Sequence, residues 1–227
     1  MTDAGPLNVE AIVAQAFGCA DALVQAIAAK ASPRRYYPHT TILHAGDPAS
    51  HVYLMVEGHA QAVAISVDGR AVLVEDFRPG DLFGEGAALS AGQHGEDVIA
   101  LDQVGAGQFR TDQFIALMES YSSVALAVSR LVVARLNHAT RRMVEGVTLS
   151  ANGRVHAELL RLAQRNPDGG MMTIRPSPKA TELAMQVQST RETVSRAINL
   201  LERKGIIRRD RDAMTIVAPH RLQDLVF

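Results

Sequence analysis

Polar residues that can read DNA bases lie at helical spacing in the segment STRETVSRAINLL, residues 189–201. On a helix with 3.6 residues per turn, one face collects Arg191, Glu192, Ser195 and Arg196. The opposite face collects Val194, Ala197, Ile198 and Leu201. Arg pairs bidentately with guanine, and Glu accepts from the cytosine amino group. The segment therefore predicts a helix that is buried on one side and reads G·C pairs in a DNA major groove on the other.

Glu192 has a second interpretation. The order Ser189-Thr190-Arg191-Glu192 also fits a capping box, in which the first serine and the glutamate satisfy free backbone N–H groups at the helix start. One glutamate can serve both roles, so the sequence leaves base reading and capping open for this residue.

Basic and hydroxyl residues surround this helix, and we predict that they contact DNA phosphates, which position a protein without selecting sequence. They are Lys179, Ser189, Thr190, Arg203, Lys204, Arg208 and Arg209.

The charge of the chain is divided along its length. Residues 1–120 hold 6 Lys and Arg against 15 Asp and Glu, a net charge of −9, whereas residues 121–227 hold 17 against 9, a net charge of +8. A basic half indicates a polyanionic partner. Charge division and helix chemistry thus favour the same partner, DNA.

The first half of the chain shows two periodicities. Residues 8–31 are Ala-rich with apolar residues at helical spacing, and Pro33 ends that pattern. From about 34 to 110, short apolar runs such as HVYLMV and AVLVEDF alternate with turn signals such as AGDP and VDGR. This spacing predicts an antiparallel β sandwich or barrel.

Residues 112–148 contain no proline and predict one long helix. Two apolar stripes run along it: Ala125, Val128, Val132, Leu136, Ala139 and Met143 on one side, and Val124, Ala127, Leu131 and Ala134 beside them. We expect one stripe to cover the β domain and the other to face a second copy of the chain, which predicts a homodimer. A long helix buried entirely within its own fold is the alternative.

The last third of the chain predicts a winged helix-turn-helix. Ser150 is a candidate cap for a helix over 151–165, and NPDGG then turns into the short strand MMTIR. Ser177-Pro178 predicts one helix start and Ser189 the next, and GIIRR with AMTIVA forms a hairpin after them.

The segment STRETVSRAINLLERKGII resembles the CRP/FNR superfamily of bacterial transcription regulators, as do TILHAGDPASHVYLMVEGHAQAV and FRPGDLFGEGAAL in the first half. The resemblance implies an α+β chain with an N-terminal cyclic-nucleotide-binding-type β-roll (a jelly roll) over 1–111, a long dimerisation helix over 112–148 and a C-terminal winged helix-turn-helix over 149–227. It implies that Arg191, Glu192 and Arg196 read bases. It also implies that a homodimer binds double-stranded DNA at a palindrome of TGTGA-like half-sites.

The resemblance further implies an effector pocket, which falls on Gly84, Glu85, Gly95, Glu96 and Thr140. In nucleotide-binding members, a Gly-Glu pair meets the ribose and an Arg-Ser pair holds the cyclic phosphate. Gly84 and Glu85 match the first pair, but glycine and glutamate replace the second pair, at Gly95 and Glu96.

The missing arginine has no substitute nearby, because no Lys or Arg occurs between Arg78 and Arg110. A buried cyclic phosphate needs a charged donor. We therefore predict no cofactor and no use of cyclic AMP or cyclic GMP, with an unidentified small-molecule effector left open. The alternative is a cyclic-nucleotide-responsive regulator whose pocket recruits a basic side chain from the long helix, such as Arg141 or Arg142.

Other sensor and enzyme chemistry has less support in the sequence. Cys19 alone cannot hold an iron–sulfur cluster, and a haem would need His94 or His44 as axial ligands. A cupin-type metalloenzyme is a competing class, since four histidines and a glutamate crowd one region: His39, His44, His51, Glu57 and His59. That chemistry needs two histidines one residue apart, and no H-x-H occurs here. We predict neither a catalytic nor a metal site.

The expected surroundings follow from the same patterns. No basic segment precedes an apolar one at the amino terminus, and no apolar run approaches the roughly 20 residues of a membrane span, so we expect no membrane partner and a cytoplasmic location. We expect RNA polymerase as a further partner, and residues 166–170 are a positional candidate for that contact.

Overall fold

The computed structural model describes residues 7–67, 69, 71–165, 167–168 and 171–226. The chain divides into two compact units, Met1–Leu136 and Asn137–Phe227. The division falls within the segment 112–148, for which the sequence predicts a single long helix.

The first unit begins with two helices, α1 (Val9–Phe17) and α2 (Asp21–Ala28), where the sequence predicts one helix over 8–31. The single-helix prediction is wrong because Gly18 ends α1 in the left-handed region, with φ of 56°. Glycine adopts that conformation without a steric penalty because it has no Cβ, so it often ends helices.

Eight antiparallel strands follow and form two four-stranded sheets. They are β1 (Ser32–Tyr36), β2 (Thr41–Leu43), β3 (His51–Glu57), β4 (Ala60–Ile65), β5 (Ala71–Phe77), β6 (Leu82–Phe83), β7 (Asp97–Ala100) and β8 (Val104–Arg110). The strand orders are β1-β8-β3-β6 and β2-β7-β4-β5. A short helix that the sequence does not predict, α3 (Glu85–Leu89), lies between β6 and β7.

Strand β3 shows how the β-roll is built. Its five central residues are all buried, so both of its faces are covered. Tyr53 and Met55 belong to a core cluster that draws on strands of both sheets. Val52 and Leu54, which point the other way because side chains alternate along a strand, pack in a second cluster with residues of α1 and α2. The predicted sandwich is confirmed, and helices cover the outer face of its first sheet.

The predicted helix over 112–148 is broken in two, α4 (Thr111–Ser120) and α5 (Ser122–Thr148). Tyr121 takes an extended conformation, with φ of −129° and ψ of 105°, and the chain bends there by 111°. The prediction also assigned Val124 and Val128 to different stripes, whereas both are buried in the core of the first unit.

The second unit contains α6 (Ala151–Arg165), α7 (Ala180–Gln186), α8 (Arg191–Arg203), α9 (Pro219–Gln223) and a third antiparallel sheet. That sheet has the order β11-β12-β10-β9, with β9 (Pro167–Asp168), β10 (Met171–Ile174), β11 (Ile207–Arg209) and β12 (Met214–Ile216). Ser150 caps α6 as predicted, since its Oγ accepts from the Gly153 N–H at 3.0 Å. Helix, helix and hairpin follow in the predicted order.

Two predicted helix starts in this unit are shifted. Helix α7 begins at Ala180 rather than at Ser177-Pro178, because the Ser177 N–H donates to Asp212 O and holds this residue in the loop. Helix α8 has Thr190 rather than Ser189 as its N-cap, because the Thr190 hydroxyl accepts from the Thr193 N–H at 3.2 Å.

Among the described residues, no single helix is long and apolar enough to cross a membrane. Two bent pairs, α1 with α2 and α4 with α5, reach that length and composition only when each pair is taken together.

Candidate nucleic-acid interface and effector pocket

Helix α8 has the two faces that its sequence predicts. Val194, Ala197, Ile198 and Leu201 are all buried in the core of the second unit. Opposite them, Arg191, Glu192 and Arg196 are exposed and Ser195 is half-buried. Because the apolar face is held in a core, the polar face is fixed in direction and free to meet a partner.

Glu192 makes helix-start contacts as well as facing solvent. Its pKa lies below the usual range, first because its carboxylate accepts from its own backbone N–H and then because the Thr190 hydroxyl bonds to it. The capping box predicted from Ser189 to Glu192 does not form, since Thr190 caps α8. The Glu192 carboxylate still accepts a backbone N–H at the helix start, its own. The ionised carboxylate is an acceptor, which is what a cytosine amino group needs.

The predicted phosphate contacts fall into two groups. Arg203, Lys204 and Arg208 are exposed. Arg209 is also exposed, but its guanidinium pairs with Glu202 and donates to Asn199 Oδ1 at 2.9 Å. A phosphate contact by Arg209 therefore requires this pair to open, whereas Arg203, Lys204 and Arg208 need no such change.

The remaining predicted phosphate contacts lie at the starts of helices. Lys179 forms a surface ion pair with Glu182, with Nζ 3.1 Å from Oε1. The Thr190 hydroxyl accepts the Thr193 N–H and Ser189 is half-buried. Pairs this exposed contribute little to stability, so Lys179 is free to exchange its partner.

The predicted effector pocket lies at the start of α3. Gly84 has φ of 83°, and a Cβ on it would lie 3.0 Å from His51 O, so only glycine fits without a shift. Glu85, the first residue of α3, is 4% exposed. One of its carboxylate oxygens pairs with the Arg135 guanidinium, while the other, Oε2, is buried with no hydrogen-bond partner.

Arg135 is a pocket residue that the sequence prediction missed. It reaches from α5 to the β-roll, where its Nη2 donates to Leu82 O at 2.6 Å and its Nε lies 3.1 Å from Glu75 Oε2. Its guanidinium also lies 5.4 Å from the centre of the Phe77 ring. Its position in the sequence could have identified it: Arg135 lies seven residues, or about two helical turns, after the buried Val128 and so on the same side of α5.

At the start of α3, two carboxylates, those of Glu75 and Glu85, share the single guanidinium of Arg135. Burial raises the pKa of Glu75, and Arg135 offsets part of that rise. Gly95 is exposed and Glu96 half-buried. Neither glycine nor glutamate carries a positive charge, so neither can supply a cationic donor to a phosphate. Thr140 is exposed on α5 in the second unit. Arg135, the arginine at this place, already pairs with two carboxylates, whereas a buried phosphate would need a charged donor of its own.

The histidines of the cupin alternative do not gather into a metal site. His59 pairs with Asp76 and His51 with the Ser50 hydroxyl. Across the part of the chain that the structure describes, no group of three or more His, Cys, Asp or Glu side chains is placed to hold a metal ion.

Two family models match the chain, one on each side of α5. Residues 33–121 match the cyclic nucleotide-binding domain, and residues 153–225 match the Crp-like helix-turn-helix domain. The chain belongs to the CRP/FNR superfamily of bacterial transcription regulators. This CRP/FNR regulator has a helix-turn-helix DNA-binding domain, and its family is one of regulators and not of enzymes. The cupin-type alternative therefore loses its support.

Individual CRP/FNR proteins resemble this chain over most of their length. The "Cyclic AMP receptor protein" of Thermus thermophilus is 26% identical, over 86% of this chain and 88% of its own. The "cAMP-activated global transcriptional regulator Vfr" of Pseudomonas aeruginosa is 27% identical, over 77% and 84%. The structure of FixK2 from Bradyrhizobium japonicum matches with a TM-score of 0.71 at 24% identity, over 86% and 96%. The predicted α+β fold with a β-roll, a long helix and a winged helix-turn-helix is confirmed.

Proposed function

We propose that this protein is a homodimeric transcription regulator that binds a palindrome of TGTGA-like half-sites through α8 and does so without cyclic AMP. The observation that carries the proposal is the exposed row of Arg191, Glu192 and Arg196 on a helix whose other face is locked in a core. Arg with guanine and Glu with cytosine are the pairings that the two G·C pairs of a TGTGA-like half-site require.

The homodimer is supported by an exposed apolar seam on α5. The seam consists of Leu126, Val133, Leu136, Met143 and Val147, which follow a seven-residue repeat. Leu136 is 63% exposed and Met143 68% exposed. Apolar residues at the first and fourth positions of a repeat of seven are typical of two-stranded coiled coils. A second copy of α5 would bury this seam, and a two-fold dimer would match a palindromic site.

The independence from cyclic AMP is supported by the charge at the pocket. A cyclic phosphodiester carries one negative charge at neutral pH, and burying it requires a donor that no other group occupies. Arg135 is held by Glu75 and Glu85, and Glu96 stands where the family's nucleotide-binding members have serine. Binding the nucleotide would therefore separate two ion pairs and bring like charges together.

A cyclic-nucleotide-responsive regulator is the second candidate. Two observations favour it: several relatives are named as cAMP-activated, and a basic side chain does reach the β-roll from the long helix. That side chain is Arg135, and not Arg141 or Arg142 as the sequence suggested. Arg141 is exposed, and Arg142 donates to Gln186 O within the second unit.

Calorimetric titration of the purified protein separates these two candidates. We expect no heat of binding with cyclic AMP or cyclic GMP at concentrations up to about 0.1 mM, because a buried charge without a free donor is costly. The double substitution Gly95→Arg with Glu96→Ser should create binding, since a Cβ at Gly95 meets nothing within 4 Å. Micromolar affinity of the unaltered protein for cyclic AMP would establish the second candidate instead.

Base reading by α8 is tested with matched substitutions of exposed arginines. Arg196→Ala should cost about 1–3 kcal/mol on a TGTGA-like palindrome and relax the preference at one G·C pair. Arg208→Ala is the control for phosphate contact, and it should weaken binding to all sequences alike and reduce the salt dependence. Competition binding over single-base variants of the site measures both effects. An equal loss on every sequence for Arg196→Ala would contradict direct reading by that residue.

The proposal also includes an effector, a cellular location and a protein partner. The buried oxygen Glu85 Oε2, which has no hydrogen-bond partner, supports an effector that donates a hydroxyl or N–H group. The charge at the pocket, and not this oxygen, is the reason to propose an effector other than a cyclic nucleotide. We propose that the protein acts in the cytoplasm, with RNA polymerase as its partner. The candidate polymerase contact at 166–170 lies mostly outside the described residues, which include only Pro167 and Asp168 of it.

A further inference from the structure

The turn between α7 and α8 has an unfavourable backbone conformation. Helix α7 ends with the Ser189 N–H bonded to Ala184 O at 2.9 Å, and the Gln188 N–H bonded to Met185 O at 3.4 Å. This pattern requires a left-handed residue, and Gln188 supplies it with φ of 50°. Glycine is the usual residue there, because a Cβ is crowded in that conformation. Something besides local preference must therefore hold this turn.

Arg154 holds the turn from α6. Its Nε donates to Val187 O at 2.9 Å and its Nη2 donates to Gln188 O at 3.2 Å. The remaining nitrogen, Nη1, donates to Leu149 O at 3.1 Å. One guanidinium thus joins the loop before α6 to two successive carbonyl groups of the α7–α8 turn. Hydrogen bonds from a charged donor are stronger than neutral ones.

A second arginine acts at the same helix end. Arg142, on the carboxyl-terminal part of α5, donates to Gln186 O. The carbonyl groups of Gln186, Val187 and Gln188 therefore each accept from an arginine. The first two belong to the end of α7, where a helix leaves carbonyl groups without partners and has the negative end of its dipole.

The charged side chains near these two arginines form ion pairs with one another. Arg161 on α6 pairs with Glu158 and has its Nη2 3.2 Å from Glu145 Oε2. Glu145 and Glu158 thus share Arg161 as their ion-pair partner. The three nitrogens of Arg154, by contrast, donate to carbonyl groups.

We propose that Arg154, assisted by Arg142, is a positioning residue for DNA binding: it clamps the strained α7–α8 turn and thereby sets the direction in which α8 presents its polar face. This inference rests on the proposed role of α8 in reading DNA. Arg154 itself contacts no base. Its donors point into the protein, so its effect on DNA passes through the orientation of α8.

Hydrogen exchange and DNA titration of the full-length protein test the clamp. Arg154→Met keeps the apolar stem and removes the donors. We expect the amides of Val187, Gln188 and Ser189 to exchange about tenfold faster, and the Kd for the palindrome to rise about tenfold, because the charged donors that hold the turn are lost. The slope of log Kd against log salt should stay unchanged, because no phosphate contact is lost.

A rescue variant distinguishes positioning from general destabilisation. Gln188→Gly relaxes the left-handed turn, so in the Arg154→Met background it should restore most of the DNA affinity and slow the exchange again. Arg221→Met removes an exposed arginine of the same unit and should change neither measurement. If Arg154→Met does not fold, Arg142→Met removes the second donor and should show the same pattern more weakly.

Two results would overturn the clamp: unchanged exchange at residues 187–189 in Arg154→Met, or a salt slope reduced by about 1, which is the mark of a lost phosphate contact. The exchange measurement needs no DNA. It therefore still tests the clamp if the unaltered protein shows no sequence-specific binding, a result that would refute the proposed function alone.

Discussion

The Leu136→Asp variant is expected to sediment as a monomer and to bind the palindrome about 10²–10⁴-fold more weakly than the unaltered protein. Leu136 lies in the middle of the apolar seam of α5 and is 63% exposed in the single chain. In a dimer, two aspartates would be buried side by side without partners, at a cost of several kcal/mol. A monomer then loses the gain in affinity that comes from linking two half-site contacts.

Leu136→Met is the matched control, because an apolar side chain of similar volume preserves the seam. It should remain a dimer with unchanged DNA affinity. Sedimentation equilibrium at micromolar concentration measures both variants. If the unaltered protein is already a monomer there, or if Leu136→Asp remains a dimer, the seam of α5 is not the dimer interface.

The Arg135→Ala variant should lower the stability of the first unit by about 3–5 kcal/mol, which corresponds to a fall in Tm of about 6–20 °C. Arg135 is the partner of Glu85, whose side chain is almost fully buried. Removing the arginine leaves a buried carboxylate without a counter-charge, and this is among the most destabilising changes that one substitution can make. Thermal unfolding followed by circular dichroism measures the effect.

Removing both charges is the control for this pair. Glu85→Gln in the Arg135→Ala background should recover a large part of the lost stability, since the carboxylate that then lacks its arginine, Glu75, is more exposed than Glu85 (side chains 29% and 5% exposed). Arg141→Ala, an exposed arginine on the same helix, should change Tm by no more than about 2 °C. A Tm for Arg135→Ala equal to that of Arg141→Ala would mean that the pair with Glu85 contributes nothing to stability.

Local sequence patterns predicted most of the elements because their causes are local. Alternating apolar residues and turn signals predicted the strands, and the Ser150 cap was predicted from one residue and its position. The sequence predicted one helix over 8–31 and one over 112–148, where the structure has two helices in each segment. A single residue breaks each of them, Gly18 in one and Tyr121 in the other, and a window of helical spacing averages over such a residue.

The ion pairs and clamps were not predictable because they join distant parts of the chain. Arg135 and Glu85 are 50 positions apart, and Arg154 lies 33 positions before Val187. Helical spacing shows which face of a helix is apolar, but it does not show which carboxylate or carbonyl will face a given arginine. Arg135 thus went unnoticed, although its place on an inward-facing stripe was visible.

The base-reading face was predictable for a different reason. Its residues lie within six positions of each other on one helix, so the helical period alone sets their relative directions. The sequence did not decide between capping and base reading for Glu192. In the structure its carboxylate bonds to the helix start and is exposed, so both roles are available to it.

The most direct test of the proposed function is a fluorescence anisotropy titration without any nucleotide. It compares a palindrome of two TGTGA-like half-sites, centred one helical turn apart, with a scrambled duplex of the same composition at the same salt concentration. We predict that the protein binds the palindrome at least about 10³-fold more tightly, with one dimer per duplex. Equal affinity for both duplexes, or a preference that emerges only when cyclic AMP is added, would contradict it.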